Sequence, residues 1–90
     1  MDILDKARRI REEREGNYDD PRRNFQRIAD YWNIYLGQQI ITAKAVADMM
    51  VLLKVAREQY KHGEDNYLDI IGYVSCADTI VKKEESNGKA

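Results

Sequence analysis

The stretch AKAVADMMVLLKVAREQY, Ala43 to Tyr60, is the most apolar part of the chain, yet it carries Lys54 and Arg57 within it. It is too charged and too short for the roughly 20 apolar residues of a membrane span. Apolar residues on almost every side except at Asp48, Lys54 and Arg57 make it the central helix of an all-α core. Its two cations stand three residues apart, on nearly one face. Half-buried cations need anionic partners. The segment after Gly63 offers Glu64, Asp65 and Asp69. Two uses are open: structural ion pairs, above all between Lys54 and Asp69 or Asp65, or a polar site that takes an anion, with Arg57 offering a planar fork for carboxylate or phosphate.

Three further helices surround this one. From Asp2 to Glu15 the apolar residues Ile3, Leu4, Ala7 and Ile10 fall three and four apart, a narrow stripe on a charged helix that must dock on something. Gly16 and Asn17 stop it, and 17–20 form a polar link. Asp20 and Pro21 restart the chain as N-cap and first helical residue. The second helix runs to about Leu36, with Phe25, Ile28, Ala29, Trp32, Tyr35 and Leu36 on its apolar face, and Gly37 ends it. Thr42 caps the third. Asp65 caps a fourth that reaches Lys82 or Lys83, with Leu68, Ile70, Ile71, Val74, Ala77 and Ile80 as its apolar members. The expected architecture is one compact four-helix domain over 1–83, followed by a flexible polar tail, 84–90. At 90 residues such a domain buries only about 60 to 65% of its unfolded surface, so a homo-oligomer is expected.

Fifteen basic and sixteen acidic residues leave a net charge of -1 with neither sign gathered in a block, which speaks against general nucleic-acid binding. Charge at the N-terminus, MDILDKARRIREE, argues against export, and the lone Cys76 fits a reducing compartment. A cytoplasmic protein without a membrane partner is expected.

Several groups invite chemistry. Asp65 and Asp69, four apart, share a helix face with Glu64 beside them, so the three could hold Mg2+; acids at a helix start also simply complement the dipole. Asp30 and Asp48 could join only if packing brings them near. The six tyrosines and Trp32 suit core packing for the most part, while Tyr18 sits in a polar loop. His62 has no nucleophile near it in sequence. Phosphate-binding glycine loops, zinc spacings and nucleophile elbows are absent.

Three segments together, residues 17–25 (NYDDPRRNF), 49–57 (MMVLLKVAR) and 62–73 (HGEDNYLDIIGY), resemble a family of small phage and prophage proteins of unknown function whose members read roughly YGDPxxNF, MxLLKxAR and HxDSxxDxxGY. The resemblance covers about residues 8–80; Asp19 stands where the pattern usually has glycine. That family is similar to a nucleotide-modification-associated phage domain and, more distantly, to the all-α NTP pyrophosphatases related to MazG and dimeric dUTPase. Those enzymes hold Mg2+ with ExxE and ExxD motifs on two helices; here the one such spacing is Glu12 to Glu15 on the N-terminal helix, no ExxD follows, and Asp65 and Asp69 stand four apart rather than three. The resemblance therefore implies an accessory protein of an infected or lysogenic bacterial host's cytoplasm that binds a nucleotide or nucleotide-derived signal and sequesters it against a host defence, without a resident cofactor. Lys54 and Arg57 would meet phosphates, Tyr18, Asn24 or Phe25 the base or ribose, and Asp65 and Asp69 the cations or ligand hydroxyls. The alternatives are a Mg2+-dependent nucleotide pyrophosphatase using Glu64, Asp65 and Asp69, and a protein-protein interaction module without a ligand.

Overall fold

A computed structural model describes residues 2–15 and 20–88, with the side chains of 15, 87 and 88 left aside. Its elements are α1 (Ile3–Glu15), α2 (Pro21–Leu36), α3 (Ala43–Tyr60) and α4 (Glu64–Gly88), with no strand among the described residues. The expected stop at Gly16 and Asn17, and Tyr18, lie outside those residues.

Three of the four helix starts follow from a short polar side chain; α4 begins at Glu64, so Asp65, read as its cap, lies inside its first turn. Asp2 Oδ1 accepts from the Asp5 N–H at 2.9 Å, Asp20 Oδ1 from the Arg22 N–H at 3.0 Å, and Thr42 Oγ1 from the Ala45 N–H at 3.1 Å. Pro21 occupies the first turn of α2, where its missing donor costs nothing. Gly37 ends that helix at φ 70°, a left-handed turn in which its N–H donates to the Asn33 carbonyl at 2.9 Å.

α4 differs from expectation at its far end. It continues past Lys83 to Gly88, so most of the stretch read as a polar tail is helical. Lys82-Lys83-Glu84-Glu85 contains good helix formers and no breaker; Asn87-Gly88 is the first stop signal.

The core is small. Phe25, Ala29, Ala43, Val46, Ala47 and Ile80 are buried, and Ile28, Trp32, Ile41, Met50, Tyr73, Cys76 and Ala77 pack against them. Alanines at the crossing of α2 with α3 let the backbones approach closely. This centre sits on the first half of α3 rather than on its densest apolar run: Met49, Leu52, Leu53 and Val55 are exposed. The reason is topological. α2 and α4 cover one side of α3, whereas α1 packs on α4 and does not reach α3. Several tyrosines expected in the core are likewise outside it, with Tyr35 91% and Tyr60 92% exposed.

Asn33, which helical periodicity does not single out, is the buried polar residue that shapes the α2–α3 connection. Its Oδ1 accepts from the backbone N–H groups of Ile40 at 3.1 Å and Ile41 at 2.8 Å, and its Nδ2 donates to the Ile41 carbonyl at 2.9 Å. At 3% exposure it has little recourse to water. Glu58 does similar work between α3 and α4. Its carboxylate accepts from the Gly63 N–H at 3.1 Å, Asn66 Nδ2 at 3.1 Å and His62 Nδ1 at 2.5 Å. Desolvation pushes the Glu58 carboxyl up, but these donors outweigh it and hold the group down to about 2 from an ordinary 4.5.

Two outcomes follow. Asn33→Ala should lower the urea-unfolding free energy by about 2 kcal/mol, because it strands three backbone groups; a loss under about 0.5 kcal/mol would show that the clamp is dispensable. Because Glu58 has a depressed folded pKa, its contribution is complete above about pH 4.5 and fades as pH falls toward about 2. Wild-type stability should therefore drop across that window, and Glu58→Gln should flatten this part of the thermal-melting profile.

Candidate functional site

α4 organises its neighbours by presenting different faces. One face takes α1: Lys6 Nζ meets Glu64 Oε1 at 2.6 Å, and the Arg11 guanidinium donates to Ser75 Oγ and, at 3.0 Å, to Thr79 Oγ1. The other takes the start of α2, where Lys83 Nζ meets Asp20 Oδ2 at 2.6 Å. That hydrogen bond from Lys83, with the Arg22 N–H, holds the Asp20 carboxyl below its usual value. Both helices are thus tied to α4, and among the described residues their backbones do not come close to each other. A cleft of about 310 Å³ remains between them.

The cleft has distinct walls. Phe25, Ile28 and Trp32 of α2 give an apolar and aromatic side, continued by Tyr73 of α4, whose ring lies 6.2 Å from that of Phe25 at 36°. Arg11 and Arg14 of α1 stand opposite; Ala7, Arg11 and Arg14 follow one another by four and three, so the arginines continue the face on which Ala7 is buried. Asn24 and Asp69 supply polar groups. The floor contains Gly72, and a Cβ built there meets no atom within 4 Å. Glycine inside a helix costs about 1 kcal/mol relative to alanine, and here it leaves the floor open. Cys76 also lines the cleft; burial raises its thiol pKa against the opposing charges of Arg11 and Arg14, which keeps it a poor nucleophile at neutral pH.

Of the residues singled out in the sequence, Asn24, Phe25 and Asp69 line this cleft together. Lys54 stands behind them: its Nζ lies 2.8 Å from Asp69 Oδ2, with the two side chains 13% and 35% exposed. The cation in the apolar helix therefore has a structural partner that is itself a cleft residue. Arg57 and Asp65 are exposed and line neither the cleft nor this pair. Tyr18 lies outside the described residues. Glu64, Asp65 and Asp69 do not converge, since Glu64 faces Lys6 and Asp69 faces Lys54; among the described residues no three acidic, histidine or cysteine side chains gather as a metal site would require. Asp30 accepts from Gln26 at 2.9 Å and Asp48 from Lys44 at 2.6 Å, both within their own helices. His62 pairs with Glu58 in the exposed turn. Arg11, Arg14 and Gly72, together with Trp32 and Tyr73, which read as core packing, are cleft residues that the sequence reading did not select as site residues. The spacing of the arginines behind Ala7 was the signal for two of them.

A second depression, of about 390 Å³, runs beside Arg22, Arg23, Gln26, Arg27 and Asp30. All five belong to α2, and without a facing apolar wall it cannot enclose a ligand as the first cleft does.

The model of a domain of unknown function, DUF6378, matches residues 2–81. The chain is 37% identical over 83 residues to the Gene 55 protein of Mycobacterium phage D29, spanning 90% of this chain and 54% of that protein. It is 34% identical over 87 residues to the Gene 55 protein of Mycobacterium phage L5, spanning 94% of this chain and 56% of that protein. The chain thus covers about half the length of these curated relatives. No solved structure matches it significantly. No described helix is long and apolar enough to cross a membrane.

The partnership of Lys54 with Asp69 can be checked by a double-mutant cycle. Lys54→Met should cost about 1 to 2 kcal/mol by leaving Asp69 unpaired, and adding Asp69→Asn should recover at least half of that loss. Additive losses in the urea-unfolding free energy would mean that the two do not act as a pair.

Proposed function

The chain belongs to the family of the domain of unknown function DUF6378, and from that membership we propose that it is a phage accessory protein that binds a nucleotide or nucleotide-derived signal in the cleft between α1 and α2. The observation that carries this reading is the open floor at Gly72, set between an aromatic wall and two arginines. A base needs a flat apolar surface, which Phe25, Trp32 and Tyr73 offer; a phosphate needs a cation at the rim, which Arg11 and Arg14 offer. Asn24 and Asp69 are the groups for ribose hydroxyls or base edges, and Lys54 acts by holding Asp69. A volume of about 310 Å³ lies at the small end of ligand pockets, which span roughly 300 to 1,000 Å³, and suits one mononucleotide. The kinship with phage Gene 55 proteins supports the phage setting. Sequestration, rather than turnover, is the use favoured here, because the acids read as Mg2+ ligands point to different partners.

The test is native mass spectrometry of the chain and of Gly72→Leu, each purified from bacterial cells infected by a phage that carries it, followed by denaturation to identify what is released. Wild type should retain a phosphate-bearing nucleotide at fixed stoichiometry. Gly72→Leu, whose side chain starts in the open space at the floor, should fold with the same helical circular dichroism and come out empty. Retention of the same compound by both proteins would overturn the assignment to the cleft. An empty wild type that also fails to bind any ribo- or deoxyribonucleotide by calorimetry would overturn the function.

A further inference from the structure

The cleft is polarised along its length. Lys6 reaches Glu64 and Arg11 reaches Ser75 and Thr79, so α1 runs in the same direction as α4. Asp20 meets Lys83 and the Phe25 ring lies against that of Tyr73, so α2 runs the opposite way. The end of α1, with Arg14, and the start of α2, with Asn24, therefore share one end of the cleft. Asp69 stands toward the other end, held by Lys54. At a rise of about 1.5 Å per residue, Asp69 lies about 9 Å along α4 from Ser75 and about 15 Å from Thr79, the two hydroxyls that carry Arg11. Gly72 and Tyr73 come between, one turn on from Asp69 on the same helix face.

This order decides which way round a nucleotide enters. A phosphate is repelled by the Asp69 carboxylate and drawn to the arginines. Base, ribose and phosphate follow one another in the ligand. With the phosphate at the arginines and the base flat over Gly72 against Phe25 and Tyr73, the edge of the base meets Asp69 and the ribose does not. Asp69 is suited to read that edge: Lys54 Nζ engages its Oδ2 at 2.8 Å, its side chain is 35% exposed, and its Oδ1 has no partner among the described residues. An ionised carboxylate accepts hydrogen bonds and donates none. Guanine alone among the common bases sets two donors side by side on its pairing edge, N1–H and the 2-amino group. Adenine and cytosine place their one donor beside a ring-nitrogen lone pair, and uracil and thymine flank theirs with two carbonyl oxygens, so each would turn an acceptor on an acceptor. Resting on the assignment of the cleft to a nucleotide, we infer that the ligand is a guanine nucleotide and that Asp69, positioned by Lys54, selects its base.

The experiment is calorimetric titration of the full chain, at neutral pH, with guanosine, inosine, adenosine and cytidine monophosphates. The inosine compound differs from the guanosine compound only by lacking the 2-amino group, so it removes one donor and nothing else. Guanosine monophosphate should bind, the inosine compound about tenfold more weakly, and the adenosine and cytidine compounds about 100-fold more weakly. Asp69→Asn should bring guanosine binding down to the adenosine level. Because that change unsettles Lys54, Lys54→Met with Asp69→Asn is measured beside it, and the ratio of guanosine to adenosine affinity is the readout. A wild type that binds the four alike, or prefers adenosine, would overturn this inference and leave the nucleotide reading standing, and a guanosine preference that survives in both variants would overturn the role of Asp69. Failure of guanosine monophosphate to bind overturns the inference as well; where native mass spectrometry also finds the wild type empty, the nucleotide reading falls with it.

Discussion

Everything distinctive about this molecule depends on how α1 is attached. It is held through α4, by Lys6 on Glu64, by Arg11 on Ser75 and Thr79, and by Ala7 buried between them. Asp20 and Lys83 fix the start of α2 to the same helix. Because both attachments are local to α4, neither pulls α1 and α2 together. A closed four-helix bundle would have filled that space with side chains. Here it is left as a cleft, with charge on one wall and aromatic rings on the other.

A chain of this size has few residues with which to do this. The buried set is mostly alanine, with Val46 and Ile80 the largest fully buried side chains, so close backbone approach has to replace bulk. Asn33 and Glu58 compensate by tying the α2–α3 and α3–α4 connections to the helices before them through three hydrogen bonds each. The same shortage leaves α3 with an uncovered apolar face. The cleft and the exposed apolar face of α3 are two results of one arrangement, in which α1 packs on α4 rather than on α3.

Much of the frame was legible in the sequence. Asp20-Pro21, Thr42 and Gly37 mark their boundaries because caps and left-handed turns are local chemistry. Lys54 announced a carboxylate partner because a cation among apolar neighbours needs one, and Asp69 is that partner. Long-range placement was not legible. Periodicity makes α3 the greasiest helix but does not say how many neighbours cover it, so Met49, Leu52 and Leu53 read as core and are not. Arg57, three residues from Lys54, read as its companion and instead faces outward. Arg11 and Arg14 looked like ordinary members of a charged helix, and their use appears only once α1 is laid beside α4. Asn33 gave no signal because its partners lie in an irregular segment. The end of α4 was misplaced by reading polar composition as a tail, although its residues are good helix formers.

The central claim is that the space between α1 and α2 is a binding site and not merely a packing gap. Trp32, the single tryptophan, stands in its wall and gives one indole N–H resonance. The most direct measurement is the two-dimensional ¹H–¹⁵N spectrum of the chain titrated with the nucleotide fraction of phage-infected cells. The account predicts that the Trp32 indole signal and the Gly72 and Cys76 amides shift together and saturate, while Arg57 and Asp65 stay in place. Shifts confined to Arg57 and Asp65, or a cleft that stays silent throughout, would contradict it.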